Sequence, residues 1–76
     1  MNIDTEKIIG KNIKILREKA NLTQEQLSAQ LQVQGCDITR SALAKIEVGQ
    51  RHIYVDEIIL FKDILKVSYE QLLNLD

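Results

Sequence analysis

Arg40, Ser41, Ala44 and Lys45 fall on one side of a short run whose other side carries Leu43 and Ile46. With Leu43 set inward, a helix turning about 100° per residue puts Ile46 about 60° to one side and Glu47 about 40° to the other. Ser41, Ala44, Lys45 and Val48 then lie about 100° or more away, and Arg40 sits at the flank of the first turn. These side chains suit the edges of base pairs. Arginine offers a forked donor that matches guanine O6 and N7, and lysine donates to the same edge. Serine is a short donor or acceptor, and alanine can touch a thymine methyl. The same pattern also describes an ordinary solvated helix face, so the elements that position the run must decide between the two.

Five helix starts surround these residues, all written in one grammar. Each has an apolar residue, a small polar cap, and a second apolar residue four positions after the cap, so that the two apolar groups staple across the cap. The five are Ile3-Asp4 with Ile8, Leu22-Thr23 with Leu27, Ile38-Thr39 with Leu43, Val55-Asp56 with Leu60, and Val67-Ser68 with Leu72. Ile53-Tyr54 offers the fourth helix an earlier start. Thr23 with Gln26 and Ser68 with Gln71 also have the spacing of reciprocal capping boxes.

The helix bodies agree with these starts. Ile9, Ile13, Leu16 and Ala20 line one stripe of the first helix. Leu27 and Leu31 line the second, with Val33 just beyond, and Ile58, Phe61 and Leu65 line the fourth. Gly35 and Gly49 stand where the second and third helices should stop. No segment alternates with period two. The expected fold is all-α, a compact five-helix domain over residues 1–76 with no sheet.

Size and charge bound the possibilities. Seventy-six residues, 45% hydrophobic and 28% charged, make one small soluble domain whose core gains from dimerisation. The single cysteine, Cys36, excludes an internal disulfide, and no Cys/His set has zinc spacing. The start MNIDTEKIIG has acidic residues and no long apolar run, so a cytoplasmic location is expected, with no membrane partner. Net charge is −1, but residues 1–51 carry eight Lys/Arg against six Asp/Glu, while residues 52–76 carry two against five. The basic excess therefore lies in the part of the chain that contains the two-helix unit, and the acidic excess lies elsewhere. No nucleophile–base pair or phosphate loop is present, so neither enzyme activity nor a cofactor, metal or small molecule is expected.

Two stretches carry a resemblance. Thr23-Gln24-Glu25-Gln26-Leu27-Ser28, followed by Thr39 to Arg51 (TRSALAKIEVGQR), resembles the phage-repressor/Cro-type, or XRE-type, helix-turn-helix family. Ile9 to Arg17 and Leu65 to Leu73 fit the family's first helix and its end. The resemblance implies a five-helix domain with the helix-turn-helix unit at about residues 23–48. It further implies a homodimer on two-fold symmetric double-stranded DNA with the third helix in the major groove. Arg40, Ser41, Ala44 and Lys45 match the base-facing set. Gln24, Thr39, Gln50, Arg51 and His52 match positions that contact the DNA backbone. Arg17 and Glu47 resemble a structural ion pair tying helix one to helix three. Gln34 to Ile38 depart from the family by lengthening the turn by five residues, and unchanged helix packing is still expected.

The resulting expectation is a sequence-specific transcriptional regulator, a repressor by analogy. Two other readings stand beside it. One is a protein-binding, antitoxin- or adaptor-like helical module, and the other is the DNA-reading head of a longer regulator. Tyr54 and Tyr69 are expected at the edge of the core. Ile8 and Ile15 are expected to be covered.

Overall fold

The computed structural model describes residues 3–75. Five helices follow in order: α1 (Ile3–Lys19), α2 (Gln24–Val33), α3 (Arg40–Glu47), α4 (Val55–Leu65) and α5 (Tyr69–Leu73). No strand occurs among the described residues. Among them, too, no helix is long and apolar enough to cross a membrane.

Three helix starts match the sequence grammar closely. Thr23 Oγ1 accepts from the Gln26 N–H while Gln26 Oε1 accepts from the Thr23 N–H, at 3.0 and 2.9 Å. Ser68 and Gln71 repeat that box at 3.0 and 2.9 Å. Thr39 Oγ1 accepts from the Ala42 N–H at 3.1 Å, and Ile38 and Leu43 are both fully buried across it. The other two starts differ. α1 already includes Ile3, so Asp4 lies inside the first turn rather than capping it. The Ile3 side chain, expected to staple onto Ile8, lies outside the described residues. α4 is capped at Tyr54, whose N–H donates to Glu57 Oε1 at 3.0 Å. Ile53 and Ile58 therefore form the staple, both buried, and Val55 is left 73% exposed. The two candidate registers have the same local spacing. Burial of Ile53 against the core selects the earlier one.

The helix ends share a second grammar. At four ends a residue at or just past the helix cap adopts a left-handed backbone, and the next N–H reaches back five residues to a carbonyl. The closing bonds are Leu22 N to Arg17 O, Cys36 N to Leu31 O, Gln50 N to Lys45 O and Val67 N to Lys62 O, at 2.8 to 3.2 Å. Gly35 and Gly49 hold two of the left-handed positions, but Asn21 and Lys66 hold the others with φ of 59° and 57°. A side chain with a Cβ is strained there. Lys66→Gly is therefore expected to raise stability by about 1 kcal/mol. Urea unfolding would show it as a higher midpoint at unchanged slope.

Ile9, Ile13, Leu27, Leu31, Ile38, Leu43, Ile46, Ile53, Ile58, Phe61, Leu65 and Leu72 form the core, so every helix and both central connections contribute to it. Several outlying positions differ from expectation. Ala20 falls past the end of α1 and is exposed. Ile8 is half-buried and Ile15 is exposed. Tyr54 and Tyr69 stand in solvent, each beneath a cation: Arg51 lies 5.9 Å and Lys62 5.2 Å from the ring centres. Both rings exchange core contact for a cation–π contact, which leaves the phenol in water.

The lengthened turn is ordered by side chains of α2. Ser28 Oγ donates to the Ile38 carbonyl at 2.8 Å, and Gln32 Nε2 reaches the same carbonyl at 3.3 Å. Cys36 packs half-buried against the core. The turn thus returns to Thr39 with Ile38 anchored.

α1 and α3 meet at Gly10. A Cβ on Gly10 would overlap the Ile46 carbonyl oxygen and lie 3.3 Å from the Glu47 carbonyl carbon. Glycine lets the two backbones touch. Two residues further along α1, Asn12 Nδ2 donates to the Leu72 and Asn74 carbonyls at 3.0 and 2.7 Å, which holds the end of α5.

Candidate nucleic-acid interface

The rotation of α3 about its axis is fixed by what it buries. Leu43, Ile46 and Glu47 face inward at 0%, 0% and 4% exposure. A buried carboxylate requires charged or hydrogen-bonding partners, and Glu47 has three donors. Arg17 Nε reaches Oε2 at 2.7 Å, Arg17 Nη2 reaches Oε1 at 3.1 Å, and Gln24 Nε2 reaches Oε1 at 3.0 Å. Arg17 Nη1 also donates to the Leu22 carbonyl at 2.8 Å. One arginine thereby ties α1, the α1–α2 corner and α3 together. Its hydrogen bonds with Glu47 raise the guanidinium above its ordinary value, against the effect of burial.

The opposite side of α3 is open. Arg40, Ser41 and Lys45 are exposed, Ala44 is half-buried, and Val48 is 53% exposed at the cap. Thr39 is exposed beside them. Its oxygen already accepts from Ala42, which leaves its hydroxyl proton to donate outward. An open groove lined by Arg17, Thr23, Gln24, Glu25 and Arg40 separates the start of α2 from the first turn of α3. Helix-start N–H groups and a guanidinium border this groove, and a phosphate suits that setting. Glu25 is the acidic residue on its rim. The Gln24 amide spans the groove floor to Glu47 rather than pointing away from the protein.

After α3 the chain passes through Gly49 to Ile53. Gln50 is exposed. Arg51 is half-buried and forms a two-pronged bridge to Glu57 at 2.9 and 3.0 Å, while Nη1 also donates to the His52 carbonyl at 2.8 Å. The His52 ring lies in solvent, with Nδ1 2.8 Å from Glu6 Oε2, and Glu6 Oε1 accepts from the Ile53 N–H at 3.0 Å. The structure therefore brings Arg17, Gln24 and Glu47 into one cluster and Arg51 and His52 into a second. Arg40, Ser41, Ala44 and Lys45 form a third group along the exposed side of α3.

Glu6, Ser28 and Glu57 are the positioning residues that sequence reasoning missed. Their partners lie 46, 10 and 6 residues away. A glutamate three residues after Tyr54, completing a box at the earlier start of α4, was the available signal for Glu57.

The two carboxylates make stability depend on pH. The Glu6 carboxyl is lowered by the hydrogen bond from His52 and by the Ile53 N–H. Burial pushes Glu57 up, but the bonds from Arg51 and the Tyr54 N–H outweigh it and leave the carboxyl below its ordinary value. A group lowered in the folded state contributes its full stability above the unfolded value, about 4.3 for glutamate, and loses it as pH falls through the folded value. The melting temperature is expected to hold from neutral pH to about 5 and then fall. In Glu57→Gln the fall should be shallower, and equal slopes in the two proteins would refute the assignment.

Five helices holding one polar helix face outward from a helix–turn–helix corner define a class of DNA-reading domains. A helix-turn-helix family model matches residues 13–72. The chain belongs to that family, in its XRE, or Cro-like, branch, and is a DNA-binding helix-turn-helix domain. No curated protein and no solved structure matched.

Proposed function

We propose that the chain acts as a cytoplasmic, sequence-specific transcriptional regulator, a repressor, binding a two-fold symmetric operator as a homodimer with α3 in the major groove. The observation that carries this reading is the state of the outer face of α3. Arg40, Ser41 and Lys45 stand in solvent, and neither cation is in an ion pair among the described residues, while Arg17 and Glu47 hold the inner face down. Arg40, Ser41, Ala44 and Lys45 read base edges. Thr39, the N-terminus of α2 at Gln24, and the Gln50–His52 segment contact phosphates. The Arg51 guanidinium serves the interface by holding its loop to Glu57, and the exposed Gln50 side chain faces the DNA backbone. Ile15, Tyr69, Leu73 and Leu75 are left exposed around the end of α5 and support a dimer contact there. Residues 23–48 are the reading unit of a single domain.

Binding to duplex DNA should weaken steeply as salt rises between about 50 and 200 mM, because each neutralised phosphate releases counterions. Arg40→Ala should weaken cognate binding by about 1–3 kcal/mol and relax preference at one base position. Selectivity untouched by Arg40→Ala would refute the base-reading assignment of that residue, whereas salt-independent behaviour without DNA binding would favour a protein-binding module, the reading to which the net charge of −1 lends support.

A further inference from the structure

The ring of His52 is held at one nitrogen and open at the other. Its side chain is 71% exposed, whereas that of Glu6 is 7% exposed. Glu6 cannot turn away, because Oε1 accepts from the buried Ile53 N–H at 3.0 Å while Oε2 meets His52 Nδ1 at 2.8 Å. An ionised carboxylate only accepts hydrogen bonds, so Nδ1 must carry the proton. In the neutral ring Nε2 is then a bare lone pair, which cannot donate to a phosphate. In the protonated ring Nε2 carries a hydrogen, and the charge of the Glu6–His52 pair changes from −1 to zero.

We propose that Glu6 is the positioning residue for a proton-linked phosphate contact made by His52: it orients the imidazole so that only the protonated ring can donate from Nε2 to DNA. The inference rests on the DNA reading above. Imidazole is the side chain that ordinarily changes charge between pH 5 and 8. The setting is defined from each packed element. α1 supplies Glu6 and Lys7, whose stem packs on Gly49. α4 supplies Glu57, engaged by Arg51, and Arg51 donates to the His52 carbonyl. Gln50, bonded to the Lys45 carbonyl at the end of α3, completes the rim. The lowered Glu6 carboxyl is consistent with a group kept ionised throughout that range.

The test is the affinity for a short random-sequence duplex at about pH 5.5 and about pH 8, with circular dichroism confirming that each protein is folded. For the unaltered chain, affinity should be about tenfold higher at the lower pH, and the slope of log affinity against log salt should steepen by about one phosphate. His52→Ala should bind at both pH values as the parent does at the higher one. His52→Lys should bind tightly at both. Glu6→Gln, which still accepts from Ile53, should show a reduced pH ratio, a result that a merely structural role would not give. If His52→Ala keeps the parent's pH ratio, the inference is overturned while the DNA reading stands. If no variant and no parent binds DNA at either pH, both are overturned together.

Discussion

Glu47→Ala should cost about 3–5 kcal/mol of folding stability, because it strands the Arg17 guanidinium in a nearly water-free corner. The Arg17 side chain is 9% exposed and that of Glu47 1%. A domain of this size has a net stability near the low end of about 5–15 kcal/mol, so a loss of that order leaves much of the chain unfolded at physiological temperature. The loss arises from an uncompensated charge rather than from the intrinsic worth of an ion pair. It follows that Arg17→Met combined with Glu47→Leu should recover most of the stability lost by either single change. Urea unfolding of the two single variants and the double variant checks this directly. Additive losses in the double variant would show that the pair contributes through packing instead.

Gly10→Ala should be nearly as damaging, by about 3 kcal/mol or more, at the upper end of overpacking costs. The new methyl meets main chain, the Ile46 carbonyl, which cannot rotate aside as a side-chain tip can. Relief requires α1 and α3 to separate, and separation also stretches the Arg17–Glu47 bonds of 2.7 and 3.1 Å. Duplex affinity should therefore fall even in the fraction that remains folded, since α3 would no longer stand at its original height above the α2 groove. A variant with unchanged unfolding midpoint would show that the helices are not in contact at this point.

These two expectations differ in how far the sequence foretold them. The Arg17–Glu47 pair followed from family resemblance together with an electrostatic argument that an acid on α3 belongs away from phosphate. The close approach at Gly10 carried only a weak signal, a glycine inside an otherwise regular helical stripe. Helix starts were legible because caps and staples act within four or five residues: Thr23, Thr39 and Ser68 each bond within their own first turn. Asp56 was misplaced as a cap because Val55–Leu60 and Ile53–Ile58 are locally equivalent, and only the position of the core distinguishes them. Lys66 gives no local hint of a left-handed conformation, which the Val67 bond to Lys62 imposes.

Site residues followed the same division. Leu43 and Ile46 determine which way Arg40, Ser41 and Lys45 point, and the three are exposed as helical geometry requires. Partners brought together by the fold were not legible. Glu6 meets His52 across 46 residues, and Ser28 meets Ile38 across a turn whose extra length gave no clue to its shape. Within that turn the left-handed exit at Gly35 and the Ser28 bond to the Ile38 carbonyl lead the chain to the Thr39 cap.

The central claim is that the solvent side of α3 reads bases in a duplex. Selection of bound sequences from a random pool of double-stranded DNA tests it most directly. The account predicts enrichment of an inverted repeat whose half-site centres are about 34 Å apart, one helical turn, with Arg40→Ala losing preference at one symmetric pair of positions. A recovered pool indistinguishable from the input would contradict it.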